Sequence, residues 1–380
     1  DHLPYVATIF TTHATILGRA LSSTGLPPAA ALGHRTPEEA ADQVGVRAKH
    51  SIEGAVARAA DVFTTVSAIT AAEVELMHRR QAQPVVPNGL DLGLLAELSD
   101  SAHHEEARTA LTHLASCMCG EDLRQATLLV ISGRYEMHNK GIDVLLDALA
   151  QINSQPGRSL VCFLLIPAAQ SGPRRKVREC LLGGSHDPEG ISSHEIIERE
   201  RDPIQRQAER LGLVNRARSR VKLIQVPVYL DGSDPLLPLQ YEAALKACDL
   251  SCFPSFYEPW GYTPAESVGV GVPTITTDMA GFGVWARENG FGPDQGVTVL
   301  PRLGISDEAF ARNLASAILA FQGSLERHKQ IRGAALAAAS KFSWNNLIRH
   351  YEESFERALA LASERPQPAP RVHRLVSVTQ

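Results

Sequence analysis

Two carboxylates eight positions apart, Glu258 and Glu266, flank a glycine turn in the stretch Tyr257-Glu258-Pro259-Trp260-Gly261-Tyr262-Thr263-Pro264-Ala265-Glu266. The run Leu250 to Phe256 before it reads as a short buried strand ending in a proline-marked loop. Ala265 to Val270, closed by Gly271-Val272-Pro273, reads as a short helix with a glycine stop. Thr263 suits the N-cap, Pro264 the first helical position and Glu266 the third, which is the pattern of a capping box. Unpaired N–H groups and the positive end of the helix dipole make such a start a ready anion site. A lone T-x-x-E quartet is most often only a cap. Here Glu258 lies outside the helix, and Val272 to Thr277 supplies a further strand ending at Asp278. Strand, acidic turn, helix and strand make a βαβ unit, whose ligands gather at the carboxyl ends of strands.

Two cations have a comparable placement. Arg134 and Lys140 follow the continuous apolar strand Ala126 to Ser132, in Gly133-Arg134-Tyr135-Glu136 and Asn139-Lys140-Gly141. A single Arg or Lys is by default a surface charge. Two on one loop at a strand's carboxyl end can converge on a pyrophosphate and stabilise its departure. Near the start, the β-rich run Tyr5 to Phe10 ends at Thr11-Thr12-His13, and a helix then carries Arg19. Tyr241 opens a helix running to Cys248; alone, it reads as an ordinary core or surface tyrosine.

The elements that must position these residues need about two domains, given 380 residues. Apolar content of 44% with 21% charged residues is that of a globular protein, and no apolar run is long enough to span a membrane. A net charge of -5 argues against nucleic acid held by bulk charge. Of six cysteines, Cys162, Cys248 and Cys252 sit in apolar surroundings and read as buried thiols of a reducing cytoplasm. Cysteine spacing offers no zinc set, and His103, His104 and His113 read as the solvated face of a polar helix.

The string FPSFYEPWGYTPAE, with Ala280-Gly281-Phe282-Gly283, resembles glycogen synthase of the animal and fungal type, and Glu258 and Glu266 match the E-x7-E motif of retaining GT-B glycosyltransferases. TIFTTHATILGR, HSIEGAVARAADVFTTVS and SGRYEMHNKG are similar to segments of the same family; the likeness covers about residues 5–90, 128–170 and 221–284. The resemblance implies an α/β chain of GT-B type with two Rossmann-like domains, the first incomplete at its N-terminus. Residues 1–95 would be the remainder of the first, acceptor-side domain, 96–125 a helical linker, and 126–340 the nucleotide-sugar domain with a helical insertion at 168–220. Residues 341–364 would be a helix crossing back, and the proline-rich 365–380 a disordered tail.

By the same resemblance, His13 approaches the donor's glucosyl group and Arg19 its phosphates, which Arg134 and Lys140 grip. Tyr241 stacks on the nucleobase, Glu258 orients the glucose hydroxyls, and Glu266 holds the ribose hydroxyls; Gly261, Tyr262 and Thr263 complete the donor site. Tyr229 stands where the family has phenylalanine, in VPVYL instead of HPEFL, so no contact is carried over there. The implied reaction is retaining transfer of glucose from UDP-glucose, in preference to ADP-glucose, to glycogen or another α-1,4-glucan. No metal, nucleic acid or membrane partner is implied, and a homo-oligomer in the cytoplasm fits. The family's arginine-rich sensor helix is largely lost in Glu326-Arg327-His328-Lys329-Gln330-Ile331-Arg332, which implies no activation by glucose-6-phosphate. Two other readings stand beside this one: a truncated, non-catalytic binder of nucleotide sugar or glucan, and a GT-B transferase with another acceptor.

Overall fold

Six apolar runs become the strands of one parallel sheet. In the computed structural model, which describes residues 6–184, 190–323 and 327–365, β3 (Thr127–Ser132), β4 (Leu160–Leu165) and β7 (Val221–Val226) are buried at every residue. Two further pairs of strands precede and interrupt them: β1 (Ile9–Thr12) with β2 (Val62–Thr65), and β5 (Gln170–Pro173) with β6 (His194–Ile196). After β7 come β8 (Leu250–Cys252), β9 (Thr274–Thr277) and β10 (Val297–Leu300).

The large sheet runs β10-β9-β8-β3-β4-β7, and all its pairings are parallel. In register, Thr127 faces Leu160, Leu160 faces Val221, and Leu129 faces Leu250. Counted within this sheet, the order is that of a doubly wound nucleotide-binding fold, and it reverses between β3 and β8. Crevices at such a reversal are where ligands of these folds bind.

Side chains alternate across each strand, so one set of residues feeds two cores. Leu129, Ile131, Cys162, Leu164 and Leu223 point to the helices Ile142–Asn153, Pro203–Arg210 and Asp307–Gln322. Leu128, Val130, Val161, Phe163 and Ile224 point instead to His104–Cys119 and Tyr241–Lys246. The segment 96–125, expected as a helical linker, carries the helix His104–Cys119. Leu111, Leu114, Ala115 and Met118 bury its long helix on the sheet, while His103 and His113 stay exposed.

The insertion also differs from expectation. Within 168–220, β6 pairs antiparallel with β5, a short 3-10 turn follows at Arg199–Arg201, and Asp202 then caps the helix Pro203–Arg210. Proline at the first helical position fixes that start. Helix Arg175–Leu181 is joined to His104–Cys119 by a Cys117–Cys180 disulfide, which the spacing did not suggest. Cys162, Cys248 and Cys252 are unpaired and buried, as read, and burial pushes their thiols up.

In the first domain β1 lies parallel to β2, packed by helices including Ile16–Ser22, Arg47–Ala59 and Ala68–His78. The chain returns to it through Leu90, whose N–H donates to Phe342 O at 2.9 Å and whose carbonyl accepts from Trp344 N. Gly89 makes that crossing possible, since a Cβ there would stand 2.7 Å from Trp344 Cα. Helix Trp344–Ser363 then packs against β1 and β2. The expected disordered tail falls, from Pro366 on, outside the described residues. Among the described residues, no helix is long and apolar enough to cross a membrane.

Candidate active site

Two loops meet where the strand order reverses. The loop after β3 runs from Gly133 to Gly141, and the loop after β8 from Phe253 to Gly261. Asn139 O accepts from the N–H groups of both Phe256 and Tyr257, at 2.9 and 3.2 Å. Gly141, at φ 69°, lets the loops close, because a Cβ would come within 2.0 Å of Pro254 O. At this junction the Lys140 ammonium donates to Glu258, and each side chain keeps only 14% of its surface exposed. Glu258 is held from behind, its N–H on Met279 O and its carbonyl accepting from Gly281 N.

Beside this pair opens a cavity of about 420 Å³, lined by Ser132, Gly133, Arg134, Tyr241 and Thr263 among others. It lies at the carboxyl ends of β3, β4 and β7. Arg134 pairs with Glu136 at 3.0 Å and keeps about half its side chain exposed. A guanidinium has five donors, so this pair leaves several for a phosphate. Tyr229 stands at the rim, 80% exposed. A larger cavity of about 530 Å³ beside Cys117 and Cys180 touches no strand end and is not assigned to the chemistry.

The capping box does not form. Helix Tyr262–Gly269 starts two residues early, with Gly261 at φ 102° as its N-cap and no side-chain cap bond. A left-handed residue is needed there, and a Cβ would also press Glu258 and Pro264. Glu266 is instead bonded to Tyr241, and burial lifts its carboxyl to about 7, with Glu242 adding to the shift. Tyr241 shares a 2.8 Å hydrogen bond between its hydroxyl and Ser132 Oγ, and burial pushes its phenol up. Its hydroxyl is thus occupied within the protein while the residue lines the cavity. Tyr241→Phe is expected to lower the unfolding free energy by about 1 kcal/mol, as the loss of one net intramolecular hydrogen bond would. Urea unfolding of the two proteins measures it.

The first domain does not line this cavity; it meets the loop after β8, at Tyr257. His13 ends β1 exposed, yet desolvation holds its imidazole below the usual value. Arg19 is exposed in helix Ile16–Ser22, and its charge acts on the Tyr257 phenol, beside Glu258. The turn between them is pinned by Glu53, which accepts from Thr12 Oγ at 2.9 Å, Ile16 N at 3.1 Å and His78 Nε2 at 3.1 Å. His50 stacks on His78 with centroids 4.9 Å apart. The two histidines and Glu53 lie within reach of one ion, but both Glu53 oxygens are already engaged by Thr12, Ile16 and His78. We read this set as a clamp on the turn. Tyr262, 43% exposed, lies near Tyr351 of the crossing helix. The structure thus gathers Arg134, Tyr241 and Thr263 at the cavity, Lys140 with Glu258, and Glu266 with Tyr241. His13 and Arg19 stand on the neighbouring domain. Sequence reasoning missed Ser132, Asn139, Tyr257 and Glu53, whose roles arise only from contacts between distant segments.

The sequence profile described as glycogen synthase matches residues 2–174 and 173–371. The chain belongs to the glycogen synthase family. It is 29% identical to the liver glycogen [starch] synthase of Rattus norvegicus, covering 94% of this chain and 60% of that protein. With the glycogen [starch] synthase of Caenorhabditis elegans the identity is 30%, over 95% of this chain and 63% of that one. The family member described here therefore spans about three fifths of the length of these relatives. Among solved structures, a sucrose-phosphate synthase from Thermosynechococcus elongatus matches with a TM-score of 0.54 and 18% identity, over 93% of this chain and 68% of its own. HepE of Anabaena, solved in complex with UDP-glucose, gives 0.54 at 17% identity, over 93% and 72%. These likenesses show the fold, which is the GT-B type expected from the sequence.

Proposed function

We propose that the protein is a retaining glucosyltransferase that moves glucose from UDP-glucose to the non-reducing end of an α-1,4-glucan such as glycogen. The observation that carries this is the Lys140–Glu258 pair, set at the strand-order reversal beside a cavity lined by Arg134 and Tyr241. The relatives' names and the HepE complex support the donor and the acceptor. In the reaction, the bond between glucose C1 and the diphosphate oxygen breaks, and C1 bonds to the acceptor's hydroxyl oxygen on the same face. The hydroxyl proton leaves to the diphosphate. Lys140 and Arg134, with Arg19 opposite, stabilise the charge growing on the leaving group. Glu258 orients the glucose hydroxyls and balances the positive sugar, Glu266 holds the ribose, and Tyr241 stacks on the base. His13 approaches the glucosyl group, with Gly261, Tyr262 and Thr263 forming the floor of the donor site.

This reading assigns charge neutralisation to side chains, so a chelator is expected to leave the rate unchanged. It also assigns no sugar-phosphate sensing to the helix His328–Ala339. There Arg332 donates to the carbonyls of Lys246 and Cys248 at 2.7 and 2.9 Å, and Arg327 pairs with Asp294. A cytoplasmic place of action goes with a glucan acceptor; the Cys117–Cys180 bond belongs to oxidising surroundings, and its thiols would be reduced there.

The test is nucleotide release from UDP-glucose and from ADP-glucose, with glycogen as acceptor, with and without EDTA. Glycogen-dependent release of UDP, insensitive to EDTA, is expected. Release of neither nucleotide, with UDP-glucose still bound, would replace this reading by that of a non-catalytic binder.

A further inference from the structure

Glu73, on helix Ala68–His78, lies 7% exposed at the seam between the two domains and has no part in the mechanism above. Its Oε1 accepts two hydrogen bonds of opposite origin. One comes from Thr15 Oγ, in the first domain. The other, at 3.1 Å, comes from the hydroxyl of Tyr257, in the loop after β8. Thr15 is itself the N-cap of helix Ile16–Ser22, its Oγ accepting from Gly18 N at 2.8 Å. It stands two residues after His13 and four before Arg19. Tyr257 immediately precedes Glu258 and is 6% exposed.

The seat is cut to this carboxyl. A Cβ on Gly18 would lie 2.1 Å from Glu73 Oε1, so any larger residue there would displace the carboxyl from this seat. Met77 Sδ sits 3.2 Å from Thr15 Oγ and closes the side toward the helix's own next turn. The charged groups around the seam are Glu53, which acts on Glu73, and Arg19 and Glu258, which act on Tyr257. Desolvation lifts the Glu73 carboxyl to about 7.

We propose that Glu73 is a positioning residue: one oxygen, shared by Thr15 of the first domain and Tyr257 of the second, holds the His13–Arg19 turn in register with the Glu258 loop. This rests on the reading of Glu258 and His13 as parts of one transferase site. Glu73 does not touch the reacting atoms; it acts through the two residues it binds. Its carboxyl is about half protonated near neutrality, so glutamine preserves the shared acceptor oxygen and resembles a form the protein already populates, whereas alanine removes it.

Hydrogen exchange on the intact chain tests the tie without requiring turnover. The amides of Phe256 and Glu258 are hydrogen-bonded and report on the second domain, while that of Gly18 reports on the first. Glu73→Ala is expected to speed exchange about three- to tenfold in both 254–262 and 13–19, the loss of one net hydrogen bond at each end. Glu73→Gln is expected to restore wild-type rates. Tyr257→Phe removes only the bond across the seam and keeps the ring, so it carries the test if the alanine variant does not fold. It should speed exchange in 254–262 and leave 13–19 unchanged. In turnover, Glu73→Ala and Tyr257→Phe should lower kcat by a similar factor, with the affinity for UDP-glucose within about twofold of wild type. Unchanged exchange in 254–262 for both variants, or a glutamine variant as disturbed as alanine, overturns the proposal. The expected exchange pattern in a protein that never releases UDP would instead overturn the transferase reading and leave the tie standing.

Discussion

Lys140→Ala is expected to lower glucosyl transfer by about 10²- to 10³-fold, the usual loss on deleting one preorganised charge at a transition state. The residue has two duties that the variant separates. In the proposed reaction it is the cation at the end of β3 that faces the departing diphosphate, whose charge it would have to meet without reorganising. As the partner of Glu258, it keeps a carboxylate with only 14% of its side chain exposed from standing uncompensated. Breaking such a pair costs about 3–5 kcal/mol when burial is complete, and roughly half that is expected for a pair that retains some solvent. Lys140→Ala should therefore both slow the reaction and lower the unfolding midpoint. Adding Glu258→Gln removes the orphaned charge: the double variant should recover most of the midpoint and none of the turnover. Initial rates of UDP release beside thermal unfolding of the wild type and the two variants measure this. A Lys140→Ala protein that keeps more than about a tenth of wild-type turnover would show that the leaving group is stabilised elsewhere.

Much of this site was legible because it depends on short segments. The cations Arg134 and Lys140 sit on one strand–helix loop, and an unbroken apolar strand announces which end of the sheet they occupy. Glu258 and Gly261 likewise share one turn after β8. What the sequence could not show is any contact whose partner lies far along the chain. Thr263 and Glu266 have the spacing of a local cap, and nothing in that spacing tells that Tyr241 will offer a buried partner instead. Glu73 and Glu75 look alike in the helix they share, yet only Glu73 turns toward the seam. The helix His104–Cys119 reads as polar because its histidines and glutamates hide a buried stripe of Leu111, Leu114, Ala115 and Met118.

Binding of UDP-glucose is expected to strengthen about tenfold between pH 6 and pH 8 and then level off. The cause is Glu266, whose carboxyl burial lifts to about 7. An ionised carboxylate can accept both ribose hydroxyls; the protonated acid offers one acceptor oxygen less and a donor in its place. At pH 6 roughly one carboxyl in eleven is ionised, and above pH 8 nearly all are, which sets the size of the change. The same shift has the opposite sign for folding. A carboxyl whose value rises from 4.5 to about 7 on folding binds more protons in the native state. Its contribution to stability is full below pH 4.5 and is lost as pH rises through 7, so tighter binding and a weaker fold appear over the same interval. UDP-glucose is the right probe because its diphosphate, esterified at both ends, does not titrate there. Glu266→Gln should bind roughly 10- to 100-fold more weakly at pH 8, the loss of hydrogen bonds to a charged acceptor, and its affinity should no longer depend on pH. Titrations of both proteins across this range decide the matter. If the wild-type curve is flat, or the glutamine variant keeps the slope, the ribose is held by another group, and the carboxyl serves only to fix Tyr241 beside Ser132.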